Sequence, residues 1–272
     1  MKKLLITDLD DTLYNWMGFF VPSFYAMVDT IIAITGLDEE TLLDEYRDKH
    51  RFFGSVEHPY TTLTLPSIKA RYPGCTDEEI KAILAPAFER FNRMRKETLR
   101  LFDGVEDTLR QVSGLGIPII GYTESMQVNG FYRLKMLGID GYFKHVYTFQ
   151  GQYVSAYPND EKVLTVPTKK PDRDVLLSIC QKEGCAPEDT VYVGDSLPKD
   201  MYMAKMAGVT SVFADYPGKD SSLYQRLVAV SSWTEEDYAR EAAAREQYTR
   251  SHLVPDFTIH SFTQVLDILK ED

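Results

Sequence analysis

The chain has 272 residues, 44% of them hydrophobic, and a formal net charge of -11. A chain of this length and apolar content buries a core as one large domain or as two smaller ones. The acidic balance argues against a protein that coats DNA or RNA, because such proteins need a basic surface. A site for an anionic substrate would have to be made locally positive by a metal ion, by lysines or arginines, or by backbone N–H groups.

The two apolar stretches near the N-terminus favour a cytoplasmic protein without membrane contact. The first ends at Asp8, which is too early for the hydrophobic region of a signal peptide. The second, residues 19–37, is interrupted by proline, serine and aspartate, and is typical of a buried helix. The three cysteines show no C-x-x-C spacing, so we expect reduced thiols and no disulfide framework or zinc site. No pattern indicates an oligomeric state.

Short apolar runs alternate with helical stretches along most of the chain. The runs are continuous, as expected for parallel strands that are buried on both faces. In chain order, the predicted strands are residues 4–6, 117–122, 146–148, 190–193, 211–214 and 257–259. The predicted helices between them are residues 105–112, 128–137, 172–182 and 199–207. This alternation predicts the α/β class, with a doubly wound, Rossmann-like parallel sheet.

Residues 15–100 break the alternation, because they contain helical patterns and no convincing strand. Asp38 and Thr76 stand where helix N-caps are expected, and acidic residues follow each of them. A further helix is predicted over residues 86–100. We therefore predict an inserted all-helical domain over residues 16–100 and an α/β core made of residues 1–15 and 101–272.

Two other segments are interpreted as additions to the core. Residues 150–168 form a long connection with room for a small hairpin or flap. Residues 216–253 separate two predicted strands and contain a predicted helix over residues 234–248. Ser232 and Glu235 have the spacing of a capping box for that helix.

Two aspartates directly follow the first predicted strand. Asp8 and Asp10 are two residues apart, so their side chains can point the same way. Ligands of open α/β sheets lie outside the carboxyl ends of the strands, and Mg²⁺ prefers oxygen ligands. One carboxylate can attack phosphorus and the other can transfer protons. The alternative is that these residues cap a helix or lie in a solvated loop.

Polar residues follow other predicted strands in the same manner. Asp195 would lie at the same edge as Asp8, where several carboxylates repel one another unless a cation is present. The alternative is that Asp195 or Ser196 caps the next helix. Thr123 ends the second strand, where a hydroxyl and free N–H groups can hold phosphate oxygens. Lys170 can neutralise charge that shifts during phosphoryl transfer.

In chain order, these positions resemble the four motifs of the haloacid dehalogenase (HAD) superfamily. The matching motifs are Asp8-x-Asp10-x-Thr12, Thr123, Lys170-Pro171 and Gly194-Asp195-x-x-x-x-Asp200. Residues 101–105 also resemble the segment where the chain re-enters the core in members with a helical cap. The resemblance covers residues 4–214 and implies an HAD-like core with an inserted helical cap domain, similar to pyrimidine 5′-nucleotidases and phosphoglycolate phosphatases.

The resemblance implies that three aspartates carry the metal and the covalent chemistry. Asp8 would be the nucleophile and a Mg²⁺ ligand. Asp10 would be the general acid and base, and its backbone carbonyl would bind the metal. Asp195 would be a further Mg²⁺ ligand.

The resemblance also implies roles for the residues around these aspartates. Thr123 and Lys170 would hold the transferred phosphoryl group, and Asp200 would support the metal site or orient Lys170. Thr12 would brace the first loop. Glu124 departs from the family pattern, which commonly has a small polar residue there. It is expected either to point away from the phosphate or to contact a neutral or cationic leaving group.

Together these features predict a Mg²⁺-dependent phosphomonoester hydrolase that acts through an aspartyl-phosphate on a small phosphorylated metabolite. The first motif also resembles that of nucleotidases, so a nucleoside monophosphate is the finer hypothesis for the substrate. A phosphosugar mutase and a non-catalytic phosphate-binding or regulatory protein remain as alternatives. Nucleic acid polymers are not expected as partners.

Two groups of residues in the helical insertion are candidates for substrate contact. Cationic side chains could meet an acidic substrate, or they could form solvated helix faces. These are Arg47, Lys49, His50, Arg51, Arg90, Arg93, Arg95, Lys96 and Arg100. Aromatic side chains near the first domain boundary could stack on a base, or they could belong to the core. These are Tyr14, Trp16, Phe19 and Phe20.

Overall fold

Seven parallel strands form one sheet in the computed structural model, which describes residues 1–149, 161–217 and 221–271. The strands are β1 (Leu4–Thr7), β2 (Ile119–Met126), β3 (Phe143–Phe149), β4 (Val163–Val166), β5 (Thr190–Gly194), β6 (Thr210–Ala214) and β7 (Phe257–Ile259). Their order across the sheet is β4-β3-β2-β1-β5-β6-β7, and every pairing is parallel. All four residues of β1 and all five of β5 are buried, which explains their continuous apolar sequences. The predicted α/β class is confirmed.

The described residues contain twelve α-helices. Five lie within residues 16–98, as the helical pattern of that stretch predicts: α1 (Trp16–Thr35), α2 (Glu39–Phe53), α3 (Pro66–Arg71), α4 (Asp77–Ile83) and α5 (Ala85–Thr98). The others are α6 (Val105–Gly114), α7 (Gln127–Met136), α8 (Arg173–Glu183), α9 (Tyr202–Ala207), α10 (Ser221–Ala229), α11 (Glu235–Ser251) and α12 (Val265–Lys270).

Side-chain caps fix the starts of several helices. The Asp38 carboxylate accepts the N–H of Thr41 at 2.9 Å, and Thr76 forms a reciprocal capping box with Glu79. Both caps agree with the sequence prediction. The cap of α11 differs from the prediction.

The capping pair of α11 is Thr234 and Asp237. The Asp237 carboxylate accepts the N–H of Thr234 at 2.9 Å, and the Thr234 hydroxyl accepts the N–H of Asp237 at 3.3 Å. The predicted pair, Ser232 and Glu235, has the right spacing, but the helix begins two residues too late for Ser232 to cap it.

The described residues divide into two compact units. The α/β unit comprises residues 1–15, 100–149, 161–217 and 239–271, and the helical unit comprises residues 16–99 and 221–238. The helical unit therefore takes in α10 and the start of α11, which the sequence prediction places in the core.

Within the helical unit, α10 packs on α1 and α2. The Tyr25 hydroxyl donates to the Arg226 carbonyl at 2.9 Å, and the Arg226 guanidinium carbon lies 3.8 Å from the centre of the Tyr25 ring. On the neighbouring helix, Tyr46 and His50 both contact the Phe24 ring, with centroids 5.0 and 5.7 Å away. The contacts between Tyr25 and Arg226 join residues 221–229 to the helical core.

Helix α1 has the length and apolar composition of a membrane span. Half of its apolar window is nevertheless buried inside the protein, and it packs along α5. Its ten buried side chains are spread over the helix, from Phe19 to Thr35. Burial of this extent is typical of a core helix, which passes the same length and composition test.

The connection predicted over residues 150–168 contains the edge strand β4. Val163–Val166 pairs in parallel with β3, so this part extends the main sheet. Residues 150–160, where a hairpin or flap was expected, lie outside the described residues.

Candidate active site

The three middle strands bring the predicted site residues to one edge of the sheet. Because β2, β1 and β5 are neighbours, Thr123 in the second half of β2 lies at the same edge as Asp8 and Asp195, which directly follow β1 and β5. The Asp8 N–H donates to the Val193 carbonyl at 2.8 Å and so continues the ladder between β1 and β5. The Asp8 carboxylate turns back to accept the N–H of Leu9 at 2.8 Å, which fixes its orientation.

Three carboxylates meet at this edge. One oxygen each of Asp8, Asp195 and Asp200 lies within 4.8 Å of the other two. Asp8 and Asp200 are buried, and Asp195 is half-buried. Such a cluster is electrostatically unfavourable unless cations compensate it.

Lys170 supplies one of the compensating charges. Its Nζ lies 3.0 Å from Asp8 Oδ1 and 2.8 Å from Asp200 Oδ1, and its side chain is 2% exposed. It also donates to the Tyr192 hydroxyl at 3.0 Å, and that hydroxyl donates to Asp200 at 2.8 Å. Burial alone would lower the pKa of Lys170, but Asp200 and Asp8 raise it well above its ordinary value. The lysine is therefore held as a cation between the two carboxylates.

The charge of Lys170 does not balance the whole cluster. Burial raises the pKa of Asp8 well above its ordinary value; Lys170 opposes this shift, and the carboxylates of Asp200 and Asp195 add to it. Asp8, Asp200 and Asp195 thus bring together more acidic groups than Lys170 alone can neutralise. Several hard carboxylate oxygens with this excess charge are a donor set that fits a divalent cation.

Gly194 makes room for the Asp200 side chain. A Cβ atom at Gly194 would lie 2.5 Å from Asp200 Cγ, so any other residue would displace that carboxylate. The N–H of Ser196 donates to Asp200 Oδ2 at 3.1 Å within a π-helical turn, Leu197–Met201. The Ser196 side chain makes no capping bond to this turn. The Gly194–Asp200 motif thus works as a tight turn that aims Asp200 at Lys170.

Asp10 lies apart from this cluster and has its own partners. Ser125 Oγ donates to Asp10 Oδ2 at 2.5 Å, and Arg133 Nη2 lies 2.9 and 3.1 Å from the two carboxylate oxygens. The Asp10 side chain is 23% exposed, against 12% for Asp8. The two aspartates of the first motif therefore have different electrostatic partners.

Sequence reasoning missed the contacts of Ser125 and Arg133. Ser125 carries a weak signal, because it is two residues after Thr123 at the end of a strand. Arg133 carries none, because an arginine in a helix usually faces solvent. It lies on α7 and is fully buried.

The other predicted residues of β2 are paired within the same unit. Thr123 is buried, and its hydroxyl accepts the N–H of Ser125 at 3.0 Å. The Glu124 carboxylate lies 3.0 Å from Lys199 Nζ, which also lies 3.5 Å from Glu241 on α11. Glu124 is thus neutralised by a lysine that immediately precedes Asp200.

Thr12 is placed in the first loop but does not brace it through its hydroxyl. Its Oγ1 is buried, and the described residues offer it no hydrogen-bond partner. The loop is instead held by its backbone: the Leu13 N–H donates to the Leu9 carbonyl, and the Asp11 N–H donates to the Tyr14 carbonyl, both at 2.9 Å.

Three of the candidate cations in the helical unit donate to backbone carbonyls. Arg47 Nε donates to the Ala229 carbonyl at 2.9 Å, and His50 Nδ1 to the Val230 carbonyl at 2.7 Å. Arg51 Nε donates to the Trp233 carbonyl at 3.3 Å. The first two carbonyls are at the C-terminus of α10, where acceptors are left unsatisfied and cations are favourable.

The remaining candidates in or near the helical unit include exposed cations and buried aromatic rings. Arg93 and Lys96 are exposed on α5. Phe19 and Phe20 are buried in the helical core, and Tyr14 is buried in the α/β unit. These three rings therefore belong to the core and are not available to stack on a base. Trp16 stacks on Phe20, with ring centroids 5.4 Å apart.

Comparison with known sequences identifies a family and two kinds of relative. The sequence model of the haloacid dehalogenase-like hydrolases matches residues 2–208. Glyceraldehyde 3-phosphate phosphatase of Methanopyrus kandleri is 27% identical over 216 residues, which cover 78% of this chain and 83% of that protein. Phosphoglycolate phosphatase 1 of Pseudomonas aeruginosa is 26% identical over 226 residues, which cover 79% and 70%.

Solved structures show the same fold. A 2-haloacid dehalogenase from Pseudomonas syringae pv. tomato superposes with a TM-score of 0.57 at 20% identity, covering 99% of this chain and 98% of the other. A putative β-phosphoglucomutase from Thermotoga maritima superposes with a TM-score of 0.54 at 18% identity, covering 98% of each chain.

Proposed function

Because the chain belongs to the haloacid dehalogenase-like hydrolase family, we propose that it is a Mg²⁺-dependent phosphomonoester hydrolase with Asp8 as nucleophile. The observation that carries the proposal is the cluster in which Lys170 joins Asp8 to Asp200, with Asp195 beside them. The cluster fits a divalent cation and an anionic group together, because its carboxylates exceed the nearby positive charge.

In the proposed mechanism, an Asp8 oxygen attacks the phosphorus atom and the bond to the leaving oxygen breaks. The leaving oxygen takes a proton from Asp10, which forms the alcohol product. Asp10 then takes a proton from water as the water oxygen attacks phosphorus. The bond between Asp8 and phosphorus breaks, which releases phosphate and returns Asp8 to the carboxylate.

The surrounding residues are assigned to binding and charge compensation. Lys170 and the Thr123 hydroxyl would hold oxygens of the phosphoryl group. Asp8, Asp195 and the Asp10 backbone carbonyl would hold Mg²⁺. The bound ion would supply positive charge between the anionic substrate and the carboxylates. Asp200 would keep Lys170 aimed at Asp8.

The substrate is proposed to be a small phosphorylated metabolite in the cytoplasm. The relatives named as phosphatases of glyceraldehyde 3-phosphate and phosphoglycolate support this class. The finer hypothesis of a nucleoside monophosphate is weakened, because Tyr14, Phe19 and Phe20 are buried and unavailable to stack on a base.

The test is phosphate release from a panel of sugar, small-acid and nucleoside monophosphates, with Mg²⁺ and with a chelator. We expect Mg²⁺-dependent release, loss of turnover in Asp8→Asn with the fold retained, and full activity in the surface control Asp107→Asn. Wild-type turnover by Asp8→Asn would exclude the covalent mechanism. If no ester is hydrolysed, the phosphate-binding alternative is favoured. If a sugar phosphate with labelled phosphate keeps its label on the sugar and releases none to water, the protein is a mutase.

A further inference from the structure

The structure assigns Arg133 as the positioning residue for Asp10, the proton-transfer group of the proposed reaction. The assignment rests on the proposed function, because Asp10 needs a fixed orientation only if it transfers a proton to a leaving group. No sequence motif identifies Arg133. The case depends on what this side chain touches inside the α/β unit.

The contacts of Arg133 define the orientation of the Asp10 carboxylate. Nη2 lies 2.9 Å from Oδ1 and 3.1 Å from Oδ2, so one nitrogen reaches both oxygens. The same nitrogen donates to Ser125 Oγ at 2.7 Å, and Ser125 donates to Asp10 Oδ2 at 2.5 Å. The three groups form a closed set of hydrogen bonds, which restricts rotation of the carboxylate.

The guanidinium is itself held in place. Nε donates to the Tyr14 hydroxyl at 3.0 Å, and the guanidinium carbon lies 5.6 Å from the centre of the Tyr14 ring. Helix α7 can approach the end of β2 because residue 130 is glycine: a Cβ atom there would lie 3.3 Å from Ser125 Cβ. Arg133 therefore reaches Asp10 from a rigid helix and not from a loop.

The position of the pair is consistent with a role in the reaction. The Arg133 side chain is 0% exposed, whereas that of Asp10 is 23% exposed. The arginine is thus fully buried, while the carboxylate that it contacts keeps part of its surface open to solvent. A buried charge that served the fold alone would be expected to have a buried partner.

The test measures how kcat/KM depends on the leaving group. An alkyl phosphate needs a proton on its leaving oxygen, whereas an activated aryl phosphate does not. We expect Arg133→Met to lower kcat/KM about 100-fold for the alkyl ester and less than about 5-fold for the aryl ester. Ser125→Ala should show the same selectivity with a smaller loss, and the exposed control Arg110→Met should change neither value.

A double-mutant cycle separates positioning from structural support. If Arg133 acts through Asp10, adding Arg133→Met to Asp10→Asn should cause no further loss of kcat/KM for the alkyl ester. If Arg133→Met does not fold, the same cycle is measured with Arg133→Lys. Lysine keeps the charge but cannot reach both partners in the same geometry.

Two results overturn the assignment, and they are distinguishable. Equal losses for both esters, or additive losses in the Asp10→Asn background, would show a structural role for Arg133 and leave the proposed function intact. A wild-type protein that hydrolyses neither ester would overturn the proposed function and this assignment together.

Discussion

The α/β unit and the helical unit use their basic side chains differently. In the α/β unit, Lys170 and Arg133 each face carboxylates at the edge of the sheet, within 3.1 Å. In the helical unit, Arg47 and His50 donate to the last carbonyls of α10. The sequence alone does not separate the two units: it offers Lys170, Arg47 and His50 alike as candidates for binding an anion, and it gives no signal for Arg133.

The difference shows which cations are available for chemistry. A cation that satisfies a helix terminus has its donors directed at the backbone and stabilises the fold. Lys170 faces two carboxylates and offsets only part of their charge, which favours the binding of a further cation. Substitutions in the two units should therefore separate activity from stability.

The largest effect is expected for Lys170→Met, which removes the cation shared by Asp8 and Asp200. Activity should fall about 10³-fold, because charge on the transferred group loses its compensation. The free energy of unfolding should fall by ~3–5 kcal/mol, because two buried carboxylates lose their partner. Phosphate release and urea unfolding measure the two effects.

The neighbouring lysine is the matched control. Lys169 lies over the Phe149 ring, 5.4 Å from its centre, and Lys169→Met should keep nearly full activity. A larger loss in Lys169→Met than in Lys170→Met would move the functional lysine to position 169.

In the helical unit, the pH dependence of stability should report on His50. Burial lowers the pKa of His50 from 6.5 to about 4, although the bond to Val230 opposes the shift. The unfolded chain therefore binds more protons between these values. The contribution is complete above pH 6.5 and is lost as the pH falls through 4, to a total of ~3 kcal/mol.

The comparison is urea unfolding of wild type and His50→Asn at pH 7.5 and pH 4.5. Asparagine keeps a donor for the Val230 carbonyl but does not titrate, so only the wild type should show this contribution. Equal pH dependence in the two proteins would mean that His50 does not titrate as its burial requires.

Substitution of Lys199, at the edge of the sheet, should have a smaller effect that is confined to substrate binding. Lys199→Met should raise KM about tenfold, or ~1.4 kcal/mol, because the Glu124 carboxylate would then repel the anionic substrate. Adding Glu124→Gln to that variant should restore KM. If the second substitution gives no recovery, repulsion by Glu124 is not the cause.

The smallest effect is expected for Arg47→Met in the helical unit. Loss of the bond to the Ala229 carbonyl should lower the free energy of unfolding by ~1 kcal/mol, with kcat/KM unchanged. Arg93→Met on exposed α5 should change neither quantity. A selective fall in kcat/KM for Arg47→Met would return this residue to the list of substrate contacts.

The sequence predicts six of the seven described strands, because each is a continuous apolar run followed by a polar residue or glycine. It misses β4, a four-residue edge strand in which only Val166 is buried. Its sequence, Val-Leu-Thr-Val, is as apolar as those of the predicted strands, but it lies inside the stretch that is interpreted from sequence as a long connection. The assignment of residues 221–238 to the helical unit also has no local signal, since it depends on contacts with α1 and α2.

The candidate site is predictable where the chemistry follows strand ends. Asp8, Asp195 and Thr123 come together because parallel strands place their carboxyl ends at one edge. Arg133 and Lys199 are not predictable, because their partners lie 123 and 75 residues away in the chain. Only the fold shows that Glu124 has a lysine partner and that Asp10 has an arginine.

The discontinuous helical unit has a consequence for synthesis on the ribosome. Residues 16–99 emerge first, but α10 follows only after about 120 further residues, a delay of roughly 6–24 s at about 5–20 residues per second. During that time Tyr25 and His50 lack their partners on residues 226 and 230. Until α10 is synthesised, the surface of α1 and α2 that it covers stays exposed on the nascent chain. Chaperones can bind that surface during this interval.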